Sequence, residues 1–283
     1  MKYNDFLWSE FIYGGHWLGL GAVSIVLSSF LLMSSQIKWE FLLIVYFGTK
    51  CIYNYNHFKE LDSDLLSKNK RSNHLIKYQK YGYFIVFIYA FCYFLLLFFF
   101  GNFQSILFGS ILLILGIFFS IFIKEFFKKI VGIKLIYTAF SWTLLVPFTA
   151  FFIFYDFDLL ALIFSIFVFL RIIITTIFFD IKDIEIDSKR GLKTIPILLG
   201  KEKCLDVLQI INLISIMPII LGVLFGIIPY YAFLLGFIFF YSFYYIQKTR
   251  SKDIDISNIS FILVDGEFYY WPFLLIIGIF CFT

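Results

Sequence analysis

The sequence predicts an all-α integral membrane protein with nine transmembrane helices. Of its 283 residues, 61% are hydrophobic and only 15% are charged, and the mean hydropathy is +0.92. This composition is far more apolar than that of a soluble globular protein. Apolar runs of about 20 residues, long enough to cross ~30 Å of hydrocarbon, recur along the whole chain. Basic residues collect in alternate loops between these runs, which supports the number of spans.

The apolar runs define the predicted transmembrane helices in chain order. Their approximate bounds are 17–35, 38–56, 81–100, 103–123, 135–155, 158–179, 204–226, 228–246 and 261–282. We predict one membrane domain over residues 1–283, with cap loops at about 57–80, 124–134, 180–203 and 247–260. No cleavable signal peptide is expected, because no small-residue cleavage site follows the first run.

The placement of charge predicts the orientation of the chain. Nineteen of the 23 lysine and arginine residues lie in four alternate loops. Cytoplasmic loops carry such an excess, so these loops and the N-terminus are predicted to be cytoplasmic and the C-terminus external. We predict a multi-pass protein of the bacterial inner (cytoplasmic) membrane. The net charge of +4 is assigned to contact with the anionic leaflet, and no nucleic acid partner is expected.

The sixth run ends in an acidic cluster, within the segment DIKDIEIDSKRGLKTIP. On an α-helix, Asp180, Asp183 and Asp187 fall within an arc of about 60°. Gly191 suits a left-handed helix cap and a proline follows soon after it, so the helix is predicted to end near Arg190. The sequence therefore predicts three carboxylates on one face at the cytoplasmic end of this helix.

A second cluster lies at the cytoplasmic end of the second run. Asn56, Glu60 and Asp64 fall within an arc of about 80° on a helix. An alternative register from Asn54 to Asp62 spans the same distance, but it supplies two oxygen ligands where the first supplies three. We favour the register through Glu60.

Two groups of oxygen ligands on the same side of the membrane indicate a site for a hard cation. Mg²⁺ in proteins takes one or two carboxylates together with waters and substrate phosphates. The surrounding basic loops could meet the remaining negative charge of a diphosphate, and we name Arg71, Lys134 and Lys193 for this role. The sequence thus predicts a diphosphate site that contains Mg²⁺.

These motifs resemble those of the UbiA-type intramembrane prenyltransferases. DIKDIEIDSKRGLKTIPILLG looks like the second signature of that family, DxxDxxxD followed by a Gly-x-x-Thr-x-Pro stretch. The first cluster resembles the NxxxDxxxD signature, with Glu60 where the family usually has aspartate and with His57, not an acid, after Asn56. GIKLIYTAFSW resembles the start of the fifth helix of the family and places Lys134 at a basic position.

The resemblance implies a helical barrel around a lipid-accessible cavity, closed by the cytoplasmic loops. It implies that Asp180, Asp183 and Asp187 are catalytic, and that they hold Mg²⁺ together with Asn56, Glu60 and Asp64. An isoprenyl diphosphate would then be ionised and its prenyl group transferred to a small lipophilic, aromatic acceptor.

Two other functions stay open at this point. One is a UbiA-type terpene cyclase, in which the allylic cation is captured within its own chain. The other belongs to a different class, the secondary transporters, whose sites usually lie near the bilayer midplane at broken helices. The acidic clusters lie at helix ends, which disfavours the transporter.

Charged residues inside the spans raise a separate question. Arg171 lies in the middle of the sixth run, and such a residue is expected to face the protein interior and to have a partner. We interpret Arg171 as structural and consider Asp265, in the ninth run, as its partner or as a group that orients an acceptor hydroxyl. Glu267, also in the ninth run, is likewise expected to face the interior and to have a partner. His57 is interpreted as an interface residue.

Overall fold

The computed structural model describes residues 3–65, 70–118, 130–154, 157–189, 191–251 and 254–282. Every regular element within these ranges is a helix. The chain divides into two compact units, which are Met1–Val23 with Lys38–Ile121 and Ser24–Ile37 with Phe122–Thr283. Each unit is described by itself.

The described residues of the first half of the chain form six helices and one 3₁₀ segment. They are α1 (Tyr3–Tyr13), α2 (His16–Leu32), α3 (Trp39–Leu65), α4 (Lys70–Leu75), the 3₁₀ segment Ile76–Tyr81, α5 (Gly82–Phe100) and α6 (Phe103–Phe118). In the first unit α3 packs against α5 and α6 and also contacts α4. A Cβ atom on Gly48 of α3 would lie 2.7 Å from the ring of Tyr93 on α5, so glycine permits this close approach. Small residues serve in this way where helices pack within membranes.

Polar contacts in the first unit join α1 to the segment around α4. Glu10 on α1 accepts hydrogen bonds from His74 (2.8 Å) and Tyr78 (2.9 Å). The buried ammonium of Lys50 on α3 donates to the carbonyl of Gly14 (2.5 Å), where the chain bends between α1 and α2. A buried charge needs such partners because it has lost its hydration.

From residue 130 onward, the part of the chain that the structure describes forms nine further helices, a 3₁₀ segment and a π-helical segment. They are α7 (Ile133–Thr143), α8 (Leu145–Phe152), α9 (Leu159–Lys182), α10 (Ile184–Lys189), α11 (Ile195–Leu199), α12 (Lys201–Leu224), the 3₁₀ segment Tyr230–Phe237, α13 (Ile238–Lys248), α14 (Ile256–Asn258), the π-helical segment Ile259–Val264 and α15 (Asp265–Phe282).

Helix α9 is the centre of the second unit and packs against α7 and α12. Its N-terminus is capped by Asp158, whose carboxylate accepts a hydrogen bond from the amide of Ala161 (2.9 Å). Its apolar side joins an aromatic core in which Phe167 and Trp271 have ring centroids 4.9 Å apart. This packing fixes the helix whose far end holds the acidic cluster.

The structure supports an integral, multi-pass membrane protein. Five helices in the described ranges are long and apolar enough to cross a membrane, or six if the pair Phe6–Tyr13 and His16–Leu32, bent by 50°, counts as one span. The described part of each of the nine predicted spans is largely helical, but nine membrane crossings remain a prediction. Lys50, Asn54 and Asn56 make α3 more polar than the other predicted spans.

Candidate active site

The second acidic motif lies at the end of α9, where the structure differs from the predicted continuous helix. Helix α9 ends at Lys182, Asp183 occupies a turn with φ −101° and ψ 10°, and α10 begins at Ile184. The bond from the amide of Asp187 to the carbonyl of Asp183 (2.8 Å) keeps the chain close to its helical path. The acidic residues therefore lie on two helices joined by a single-residue turn.

Lys134 joins two of the three predicted carboxylates. Its Nζ lies 2.6 Å from Oδ1 of Asp180 and 3.8 Å from Oδ2 of Asp187. Both aspartates are buried, at 4% exposure, whereas the Lys134 side chain is 31% exposed. The lysine that the sequence names for binding diphosphate thus lies beside the second acidic motif.

The charges of this cluster oppose the dipoles of the helices that carry them. Lys134 is in the first turn of α7 and Asp180 is in the last turn of α9. Each placement alone costs about 0.3–1 kcal/mol, because helix N-termini favour anions and C-termini favour cations. Mutual pairing offsets the cost, but two buried carboxylates beside one ammonium leave excess negative charge. The excess negative charge therefore favours the binding of a cation, although it does not stabilise the fold.

Asp183 pairs with a different lysine, and the prediction that the three aspartates share one face stays a prediction. Its carboxylate lies 3.2 Å from the ammonium of Lys182, and its side chain is 28% exposed.

The loop after α10 is ordered by a helix cap, as predicted. Gly191 has φ +70°, and its amide bonds the carbonyl of Ser188 (3.0 Å) while the amide of Leu192 bonds that of Asp187 (3.0 Å). These two bonds form a Schellman motif. The cap keeps the main chain of Asp187 in place, while Lys193 just beyond it is exposed.

The first motif lies near the end of α3, in the other unit. The side-chain Oδ1 of Asn56 is buried and has no hydrogen-bond partner among the residues that the structure describes. Glu60 is partly exposed, and the side chain of Asp64 lies outside the described part of the chain, as does that of Asp62. Arg71 on α4 contacts His57, with 3.0 Å between Nη1 and Nε2.

The chemistry of the donors fits Mg²⁺. Among the described residues, no three His, Cys, Asp or Glu side chains form a ready-made metal cluster. Mg²⁺ keeps several waters and shares its coordination with substrate phosphates, so one or two carboxylates such as Asp180 and Asp187 suffice. Within the second unit, the excess negative charge beside Lys134 is consistent with that mode of binding.

Arg171 has a different partner from the one expected. It is fully buried and forms a two-point ion pair with Glu267, in which Nε and Oε1 are 2.7 Å apart and Nη2 contacts Oε2. Its remaining bonds go to Asn212 (2.7 Å), Ser215 (3.0 Å) and Ser242. The pairing of Arg171 with Asp265 that the sequence suggested is therefore wrong, whereas the structural interpretation of Arg171 agrees with this network.

The sequence was compared with models of protein families and with curated proteins. The model of the UbiA prenyltransferase family matches residues 18–271. A search of curated protein sequences found no match to the chain.

Several solved structures share the fold. The apo structure of a UbiA homologue from Aeropyrum pernix K1 is 15% identical over 93% of this chain and 97% of that chain, with a TM-score of 0.69. A UbiA homologue from Archaeoglobus fulgidus bound to GPP and Mg²⁺ is 16% identical over 95% and 99%, with a TM-score of 0.68. A digeranylgeranylglyceryl phosphate synthase is 14% identical over 97% and 98%, with a TM-score of 0.62. At these identities the likeness establishes the fold, and the family match extends over most of the sequence. The chain therefore belongs to the UbiA prenyltransferase family.

Proposed function

We propose that this membrane protein is a Mg²⁺-dependent prenyltransferase that moves an isoprenyl group from an isoprenyl diphosphate to a small lipophilic, aromatic acceptor. The observation that carries the proposal is the buried pair Asp180 and Asp187 beside Lys134, in a chain of this family. Homologues from Archaeoglobus fulgidus have been solved with GPP and Mg²⁺ and with DMAPP and Mg²⁺. The same class of substrate and the same ion are proposed here.

The residues have distinct proposed roles. When bound, Mg²⁺ supplies positive charge that stabilises the departing diphosphate. Asp180, Asp183 and Asp187 would hold the ion together with Asn56, Glu60 and Asp64. Lys134 fixes the carboxylates of Asp180 and Asp187 by its contacts with both, and with Lys193 and Arg71 it would bind phosphate oxygens.

The proposed reaction breaks the allylic carbon–oxygen bond, and its electron pair leaves with the diphosphate. A ring carbon of the acceptor supplies the pair for the new bond and afterwards loses its proton. We further propose that the cytoplasmic loops of a bacterial inner-membrane protein hold this site, because the basic residues concentrate there.

The test is an assay of the purified protein in nanodiscs with Mg²⁺, a series of allylic diphosphates and lipophilic phenols. We expect release of diphosphate together with a prenylated acceptor detected by mass spectrometry. A cyclic hydrocarbon formed without acceptor would favour the terpene cyclase, and uptake without release of diphosphate would favour the transporter. Absence of diphosphate release from folded protein with every substrate would contradict the proposal.

The Glu60 register makes a separate prediction. Glu60→Gln removes one negative charge at nearly constant shape, so the Mg²⁺ concentration for half-maximal activity should rise. Glu60→Asp should retain activity, because a carboxylate remains. The matched control is Asp62→Asn, a loss of the same charge two residues away, which should change little. A larger effect in Asp62→Asn than in Glu60→Gln would establish the register from Asn54 to Asp62 instead.

A further inference from the structure

The residue that follows Asn56 makes a contact that the family motif does not explain. His57 Nε2 lies 3.0 Å from Nη1 of Arg71. A guanidinium has only N–H donors, so the histidine nitrogen must accept this hydrogen bond. His57 therefore holds Arg71 as the acceptor of this bond.

Aromatic contacts fix both partners of this bond. The guanidinium of Arg71 lies 5.4 Å from the centroid of the Tyr53 ring, and the His57 and Tyr53 rings meet edge to face at 4.3 Å. Tyr53 is 7% exposed, and its hydroxyl donates to the carbonyl of Tyr13 (3.2 Å). Arg71 is therefore held by an acceptor and by a ring face that are one helical turn apart on α3.

The helix that carries Arg71 is itself anchored. His74, one turn after Arg71, donates to Glu10 on α1 (2.8 Å), and Tyr78 donates to the same carboxylate oxygen (2.9 Å). Helix α4 thus has one attachment to α1 and another, through Arg71, to α3. Both restrict the arginine before any substrate arrives.

We propose that His57 is a positioning residue that presents Arg71 to the diphosphate. The inference rests on the proposed function, because it takes the diphosphate as the ligand of Arg71. A free arginine side chain loses rotamer freedom when it binds an anion, and an arginine that is already oriented loses less. His57 is next to Asn56 on α3, so the same helix that would supply a metal ligand also orients the guanidinium. In this chain the residue after Asn56, His57, thus orients an arginine and does not bind the metal ion.

The test measures binding of inorganic pyrophosphate with Mg²⁺ to the full-length protein in nanodiscs by calorimetry, so that it needs no turnover. The variants are His57→Phe, His57→Leu, His57→Gln, Arg71→Ala and the double variant His57→Phe with Arg71→Ala. We expect His57→Phe and Arg71→Ala each to raise the Kd about tenfold, as for the loss of a hydrogen bond to a charged group. His57→Gln should restore affinity, because its amide oxygen can accept the bond.

The double variant separates positioning from a general structural effect. If His57 acts through Arg71, the double variant should bind no more weakly than Arg71→Ala alone. Additive losses, or wild-type affinity in a folded His57→Phe or His57→Leu variant, would overturn the inference. Thermal unfolding of each variant identifies the folded ones, and His57→Leu replaces His57→Phe if the latter does not fold. If the wild-type protein itself does not bind pyrophosphate, that result contradicts the proposed function. It differs from the results that contradict the role of His57, which appear only in the variants.

Discussion

Replacing Asp180 with asparagine is expected to abolish prenyl transfer while leaving the protein folded. The substitution keeps the shape of the side chain but removes a negative charge from a buried site, and loss of one such electrostatic contribution lowers turnover by about 100- to 1000-fold. Folding should survive because Lys134, 2.6 Å from Asp180, retains Asp187 at 3.8 Å as a second partner. Initial rates of diphosphate release, with insertion checked by membrane fractionation, measure both effects.

The same segment offers a matched control. Glu185→Gln removes a carboxylate between Asp183 and Asp187, but the Glu185 side chain is exposed and lies on another face of the helix. Its turnover should stay within about twofold of wild type, as for a surface substitution. Asp183→Asn and Asp187→Asn are expected to behave like Asp180→Asn. Wild-type turnover in any two of these three variants would remove the proposed metal site.

Sequence patterns predicted the helical segments and the cap after the second acidic motif. Hydropathy located the helical segments because the bilayer requires long apolar runs, and the Gly191 cap followed from the need for a residue with positive φ. The family resemblance identified Lys134 as a basic position, but neither the resemblance nor periodicity predicted its contact with Asp180. Local spacing could not reveal it, because the two residues are far apart in sequence and meet only through packing of α7 on α9.

Other contacts were missed for identifiable physical reasons. The turn at Asp183 interrupts a pattern that looked regular, so the predicted single helix is divided into two there. The π-helical segment Ile259–Val264 rotates the residues after it relative to an uninterrupted α-helix, so sequence position alone could not decide between Asp265 and Glu267. The bond between Glu10 and His74 joins residues 64 positions apart, and no periodic signal accompanies it.

The buried ion pair of Arg171 and Glu267 gives the largest predicted effect on stability. Glu267→Gln leaves the guanidinium of Arg171, which is fully buried, without its counter-charge. Removing one partner of a buried pair costs about 3–5 kcal/mol. We expect a large fall in the unfolding temperature and a low yield of inserted protein, measured by thermal unfolding in nanodiscs. Arg171→Met should have a similar effect, because it leaves Glu267 charged and buried.

A surface ion pair in the same unit provides the control. Arg250 contacts Asp206 (2.7 Å) and Glu202 (3.3 Å), and both carboxylate side chains are more than 60% exposed. Arg250→Met should therefore cost no more than about 1 kcal/mol. An unfolding temperature for Glu267→Gln that matches that of Arg250→Met would contradict the prediction.

The double variant Arg171→Met with Glu267→Met distinguishes charge from packing. With both charges gone, no unpaired ion remains in the interior, and apolar replacements of buried ion pairs are often neutral or stabilising. Here the recovery should be partial, because Asn212, Ser215 and Ser242 would lose the guanidinium to which they are bonded. We expect the double variant to unfold above either single variant and below wild type. A double variant less stable than both singles would show that the network acts through shape and hydrogen bonding, and not through the neutralisation of charge.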